Sequence, residues 1–164
     1  MTNFIPIFPL SIVVYPHEDL NLHIFEPKYK QLIKECFDQK KSFGMPVVID
    51  NKISEWGTLL EIIEISKTYP TGEMDIKTRG QKVFRILETI TNVPEKLYSG
   101  AIVNYPQNHE HGKRILMKKI ISATQQLHET LKVNKPLDKN EDELWSYDLA
   151  HSVGLTLEEE YKLL

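Results

Sequence analysis

The sequence has little that would mark a chemistry. One cysteine, Cys36, stands among 164 residues, so no internal disulfide can form, and a lone thiol is ordinary where thiols stay reduced. Within Gln31-Leu32-Ile33-Lys34-Glu35-Cys36-Phe37 it recurs at the helical spacing of its apolar neighbours and reads as a small buried hydrophobe. Long apolar runs are missing as well. Val47-Val48-Ile49 and Leu59-Leu60 fall far short of the roughly 18 residues a membrane span needs. The opening residues carry no basic stretch followed by an apolar core, so no secretory signal is read and the cytoplasm is the expected compartment. Neither sign of charge dominates: 20 Lys+Arg stand against 23 Asp+Glu, a net charge of -3, which argues against a nucleic-acid binder that neutralises many phosphates.

Catalytic signatures are equally scarce. None of the seven glycines builds a phosphate loop, and no serine has a glycine on both sides, so neither nucleotide hydrolysis nor a serine hydrolase is expected. His109-Glu110-His111 is the tightest group of metal-ligating types, but a zinc site needs about four converging ligands and no second pair stands at ligand spacing. The expectation is therefore a protein without enzyme activity, metal or cofactor.

What is present is a folding composition, 41% hydrophobic and 26% charged, that changes character near residue 106. Before that point short apolar runs are cut by Pro and Gly, as strands and turns are. Phe4-Ile5-Pro6-Ile7-Phe8-Pro9-Leu10 carries two prolines and suits only an edge strand or an extended lead-in. Leu20 to Phe25 alternates, placing Leu20, Leu22 and Ile24 on one face and His23 on the other. Pro27 opens a helix over 28–39 with Glu26 at its positive end and Tyr29, Leu32, Ile33, Cys36 and Phe37 as its buried face. Strands are predicted over 43–49, 55–67, 74–79, 81–91 and 97–105, with breaks at Gly57 and Gly80. On that reading Glu61 and Glu64 face opposite sides. Loops this short exclude crossover helices and imply a closed or half-closed, mostly antiparallel β-barrel.

After residue 106 the period becomes helical. Leu116, Ile120, Ala123, Leu127 and Leu131 form an apolar stripe on a long helix over 112–132, widened by Met117, Ile121 and Thr124. A second helix is predicted over 142–153. A third opens with Thr156 and Glu159 at capping-box spacing and is cut off at Leu164, so the natural chain is expected to continue. The long helix is basic and the segment from Asp138 to Glu160 acidic, which predicts that the two neutralise each other. The expected organisation is a barrel over 1–106 and a helical subdomain over 107–164.

Several of these runs together resemble the Lon N-terminal (substrate-binding) domain family. They are Phe4 to Leu10, Val13-Val14-Tyr15-Pro16, and Leu20-Asn21-Leu22-His23-Ile24-Phe25-Glu26-Pro27-Lys28-Tyr29, followed by Gly57-Thr58-Leu59-Leu60-Glu61-Ile62 and Thr78 to Ile86. The end of the chain, Leu149 to Leu164, is similar to the family's closing segment. His23, Lys28 and Lys82-Val83 depart from an arginine-richer pattern and soften any anion-binding surface. The resemblance implies a PUA-like α+β fold, a barrel with an early helix followed by helices, in a stand-alone LON domain without ATPase or protease parts or in an isolated N-terminal piece.

It also implies non-catalytic, ATP-independent binding of unfolded or partly folded polypeptide or of a protein partner. Such a receptor needs an exposed apolar surface or an open sheet edge. The candidate contacts are the aromatic Tyr15, Phe25, Tyr29, Trp56 and Tyr69, together with Glu26. The same surface would serve a homo-oligomer. The rival is an RNA-binding module using Lys77, Arg79, Lys82 and Arg85, against which the acidic balance stands.

Overall fold

A computed structural model describes residues 3–109 and 112–164. The chain divides into two compact units, one reaching to Pro106 and taking in Leu164, the other Gln107–Leu163. No helix of the described residues is long and apolar enough to cross a membrane. Part of the His109-Glu110-His111 group lies outside the described residues, and no cluster of metal-ligating side chains is found among those described.

In the first unit the described residues form one six-stranded antiparallel sheet: β1 (Asn3–Pro6), β2 (Asp19–Ile24), β3 (Phe43–Ile49), β4 (Lys52–Thr68), β5 (Met74–Ile90) and β6 (Gly100–Asn104). The order is β1-β6-β5-β4-β3, with β2 paired to the first half of β5. No continuous ladder closes it. Just past β1, three backbone bonds reach β3: Phe8 N–H to Gly44 O at 2.8 Å, Leu10 N–H to Pro46 O at 3.3 Å, and Val48 N–H to Leu10 O at 2.9 Å. Pro6, Pro9 and Pro46 lack an N–H, so this seam cannot carry a full ladder, and the sheet is not closed into a barrel.

Two expected breaks turn out to be close approaches. β4 runs through Gly57 and β5 runs through Gly80 without interruption. A Cβ on Gly57 would strike the Met45 carbonyl and the Phe84 ring, and one on Gly80 would strike the Tyr15 carbonyl. The backbone at Gly80 also bonds the crossing segment, His17 N–H to Gly80 O and Gly80 N–H to Glu18 O, both at 2.8 Å. Glycine here admits a second chain rather than ending a strand. The residues before that crossing make no strand, although Val13, Val14 and Tyr15 are buried.

Irregularities in pairing re-aim side chains. Between Ile62 and Glu64 the register shifts by one, setting Glu61 opposite Arg79 and Glu64 opposite Lys77. The two carboxylates therefore share a face, contrary to plain alternation, and Ile63 is left exposed. The β3–β4 connection, Asp50-Asn51, has φ of 50° and 60°, the left-handed pair that a two-residue hairpin turn requires and that Asp and Asn tolerate.

Helix α1 (Pro27–Asp38) starts at the expected proline and buries Leu32, Ile33 and Cys36. Phe37 is exposed, one step beyond the buried arc. Burial pushes the Cys36 thiol up to about 11, so it stays protonated and inert near neutral pH. Glu35, on the same helix, accepts bonds from Tyr98 Oη (2.6 Å), Lys96 Nζ (2.9 Å) and Gln31 Nε2 (3.1 Å), tying α1 to the segment ahead of β6.

The second unit holds α2 (Arg114–Thr130), a short 3-10 turn (Glu141–Glu143), α3 (Ser146–Ala150) and α4 (Leu157–Lys162). The capping box is present: Glu159 N–H donates to Thr156 Oγ1 at 3.3 Å and Thr156 N–H to Glu159 Oε2 at 2.8 Å. The predicted second helix is much shorter than the sequence suggests. Helix α2 also faces differently. Its buried residues are Ile121, Thr124 and His128, with Met117 packed beside Ile121, Leu144 and Leu149, while Leu116, Ile120, Leu127 and Leu131 are exposed. The His128 imidazole is held inside by its Nε2, 2.7 Å from the Ser152 carbonyl.

Candidate functional site

The six expected contact residues do not form one surface. Tyr15 is 1% exposed and belongs to the core, so it cannot anchor a partner. Trp56 lies near the start of β4 and Tyr69 just past its end, about 40 Å of extended chain apart at ~3.3 Å per residue. Trp56 sits opposite Arg85, whose guanidinium is 5.9 Å from the indole and also bonds Glu55 at 3.0 Å. It is thus a separate place from the remaining four.

Those four gather where β2 ends, α1 begins and the β4–β5 turn comes round. Helix α1 is fastened to that turn by Lys30 Nζ, which donates to the Thr71 carbonyl at 3.1 Å. Phe25 projects from the junction 58% exposed. Its ring stacks on His23 at 6.2 Å with 25° between planes, and His23 meets Tyr69 edge-on at 5.7 Å. Three rings therefore run side by side across the junction. Glu26 caps the start of α1 with its backbone carbonyl, which accepts from Tyr29 and Lys30, while its carboxylate pairs with Lys28 Nζ at 3.3 Å. Tyr29 is half-buried, edge-on to Phe8 at 3.9 Å, with Lys28 Nζ 4.7 Å from its ring. It anchors the junction to the core more than it faces outward.

Sequence reasoning placed His23 on the outer face but missed its companions. Asp75 stands directly opposite His23 on β2 and Lys67 on β4, so the register puts all three on one face. Asp75 Oδ1 lies 2.6 Å from His23 Nδ1, and Oδ2 accepts from Tyr69 Oη at 2.7 Å. Glu73 Oε2 lies 3.5 Å from His23 Nε2, and Lys67 Nζ sits 4.5 Å over the Tyr69 ring. The hydrogen bond to Asp75 raises the His23 pKa above its ordinary value, with Glu73 adding to it, and the same bond lowers that of Asp75. An imidazole facing carboxylates with both nitrogens favours its charged form, a poor setting for a general base. The signal available in sequence was the pair Lys67 and Tyr69 ahead of the Gly72 turn with Asp75 just after it.

The arrangement is an exposed aromatic platform. Phe25 supplies apolar area, and Tyr69 and His23 both hydrogen-bond to Asp75, which favours the rotamers that set them beside it. The cations proposed for an RNA surface are instead matched one by one: Lys77 to Glu64 at 2.7 Å, Arg79 to Asp19 at 2.6 Å and Arg85 to Glu55 at 3.0 Å, while Lys82 lies 3.8 Å from the Tyr105 ring. Three neutralised pairs leave little field to attract a phosphate chain.

Comparison with known proteins converges on one family. The model of the ATP-dependent protease La (LON) substrate-binding domain matches residues 5–164. A LON peptidase N-terminal domain and RING finger protein of Schizosaccharomyces pombe is 30% identical over 105 residues, 52% of this chain, and the match spans only 21% of that relative's length. In structure, a Lon N-terminal domain protein from Xanthomonas campestris superposes with a TM-score of 0.72 at 21% identity, covering 98% of this chain and 88% of that one. The N-terminal domain of a Mycobacterium avium complex Lon protease gives 0.70 at 13% identity, covering 98% and 89%. At such identities the two structures establish the shared fold.

Proposed function

Because the chain belongs to the LON substrate-binding domain family, we propose that it is a non-catalytic receptor that captures polypeptide through the Phe25–His23–Tyr69 platform. The observation that carries this reading is an exposed aromatic surface whose two inner rings share hydrogen bonds to one carboxylate. Phe25 is one of the more exposed large hydrophobic side chains described, yet its neighbours are pinned by Asp75. Exposed rings held in place lose little entropy on binding, and they accept varied apolar side chains because ring faces are not directional donors or acceptors. The charged pairs around them, Glu26 with Lys28 and Asp75 with His23, suit a polar rim. Within the cytoplasm such a receptor needs no nucleotide, and the client is an extended or partly unfolded segment with bulky apolar residues.

The test is fluorescence anisotropy with a labelled, permanently unfolded model polypeptide at low and high salt. Phe25→Ala and Tyr69→Ala should each weaken binding at least fivefold, while Trp56→Ala leaves it unchanged, and salt should matter little. If Phe25→Ala binds like the parent protein, the platform is not the receptor surface. Loss confined to Trp56→Ala would move the site to the other end of β4.

A further inference from the structure

At the centre of the platform stands a side chain whose charge can change near neutral pH. His23 presents both ring nitrogens to carboxylates, Nδ1 to Asp75 Oδ1 at 2.6 Å and Nε2 to Glu73 Oε2 at 3.5 Å. An imidazolium has an N–H at each nitrogen and meets both acceptors at once. A neutral imidazole has one N–H, so it keeps one carboxylate and turns a lone pair on the other. The two acceptors are not held alike. Asp75 has the shorter contact, and its Oδ2 also accepts from Tyr69 Oη at 2.7 Å. The Glu73 side chain is 37% exposed and pairs with no other side chain among the described residues. Loss of the proton therefore releases the Glu73 carboxylate and leaves the His23–Asp75–Tyr69 chain in place. The turn stays closed, because the Glu73 backbone carbonyl still accepts from Tyr69 N–H at 2.8 Å.

The charges on the neighbouring elements decide what that release does. Asp75 faces His23 from β5, Glu73 from the turn, and Lys67 from β4, its Nζ 4.5 Å over the Tyr69 ring. The next charges along are already matched, Lys77 with Glu64, Arg79 with Asp19, and Lys28 with Glu26 at the start of α1. Of all these groups only the imidazole ordinarily titrates near neutrality. Its hydrogen bond to Asp75, with Glu73 adding, moves that change above the ordinary 6.5. While the ring is charged, His23 and Lys67 balance Asp75 and Glu73. Once it is neutral, one negative charge is left over, on an exposed carboxylate at the margin of the aromatic surface.

We infer that the proton on His23 selects clients by charge: with it the platform is indifferent to the residues flanking a captured apolar side chain, and without it Glu73 takes a flanking lysine or arginine. This rests on the platform being the receptor surface, as proposed above. The probes are two labelled, end-capped peptides with the same apolar core, one flanked by arginines and one by serines. Binding to the full chain is read by anisotropy from about pH 5.5 to 9, and the His23 imidazole is titrated by NMR in parallel. The affinity ratio of the arginine to the serine peptide should start near one and rise about two- to fivefold, the size of one exposed ion pair. Its midpoint should coincide with the His23 titration, and the rise should shrink at high salt. Glu73→Gln should flatten the ratio and lower the NMR midpoint. His23→Phe keeps a ring between Phe25 and Tyr69 but takes no proton, and should hold the high-pH ratio throughout, with circular dichroism confirming the fold of each variant. The inference alone is overturned if the peptides bind with a ratio that does not change with pH, if the change survives in His23→Phe, or if the two midpoints differ. If neither peptide binds at any pH, the receptor reading fails and the inference falls with it.

Discussion

The sheet unit and the helical unit treat their apolar residues in opposite ways. In the sheet unit the large side chains Phe43, Leu60, Ile76 and Phe84 are fully buried, and glycines stand where backbone or ring must pass close to another strand. In the helical unit α2 buries three residues, two of them polar, and turns four leucines and isoleucines outward. The contrast shows that amphipathicity measures how much apolar surface a segment has to hide, not where it is hidden. A strand in a sheet has its neighbours on both sides to decide the matter, whereas a helix with a wide apolar arc can rotate by some tens of degrees and still satisfy its pattern.

The largest effect should come from the best-packed point of the sheet unit. Phe84→Ala removes a ring that is 0% exposed and lies against Gly44 and Gly57, and it should cost about 3–5 kcal/mol, read as a fall in the urea midpoint. Glu35→Ala comes next, at about 1–3 kcal/mol, because Tyr98 Oη, 2.6 Å from that carboxylate, would lose its partner. This effect has a pH signature. Lys96 and Tyr98 hold the Glu35 carboxyl below the ordinary value of 4.5, so its contribution is complete above that value and is lost as pH falls through the lowered one. Stability curves of parent and variant should therefore converge on acidification from about pH 4.5 downward. The smallest change is predicted for the α2 strip. Leu131→Gln, at a position 60% exposed, should shift stability by no more than about 0.5 kcal/mol, although its spacing marks it as core. A loss comparable to that of Phe84→Ala would erase the difference between the two units.

Much of the sheet unit could be read in advance. Strand 43–49 has the predicted limits, α1 starts at Pro27, and the doubly proline-marked first strand lies at the edge of the sheet. Those features are written in local chemistry, in a missing N–H or an apolar run of strand length. What was not legible depends on contacts between segments distant in sequence. Gly80 resembles a strand break until Tyr15 is seen to cross it, and the shift at Ile63 puts Glu61 and Glu64 on one face by pairing, not by composition. The buried face of α2 was misjudged for the same reason: the residues that cover Ile121, namely Leu144 and Leu149, come from the segment that follows the helix. In the candidate site Phe25, Glu26, Tyr29 and Tyr69 were identifiable as residue types. The His23–Asp75 pair that organises the platform exists only through the β2–β5 register.

The three-bond seam between the stretch after β1 and β3 has a consequence for the order in which the molecule assembles. The β3–β4 and β4–β5 pairings join neighbours in sequence across short turns, whereas β1 meets β6 across nearly the whole unit and must wait for that long loop to close. Because its pairing with β6 and its three bonds to β3 both close long loops, the N-terminal segment is expected to join a preformed meander last and to leave it first. Ile7 is 1% exposed, so Ile7→Ala should cost native stability. In stopped-flow experiments that cost should appear almost wholly as faster unfolding, with the refolding rate barely altered.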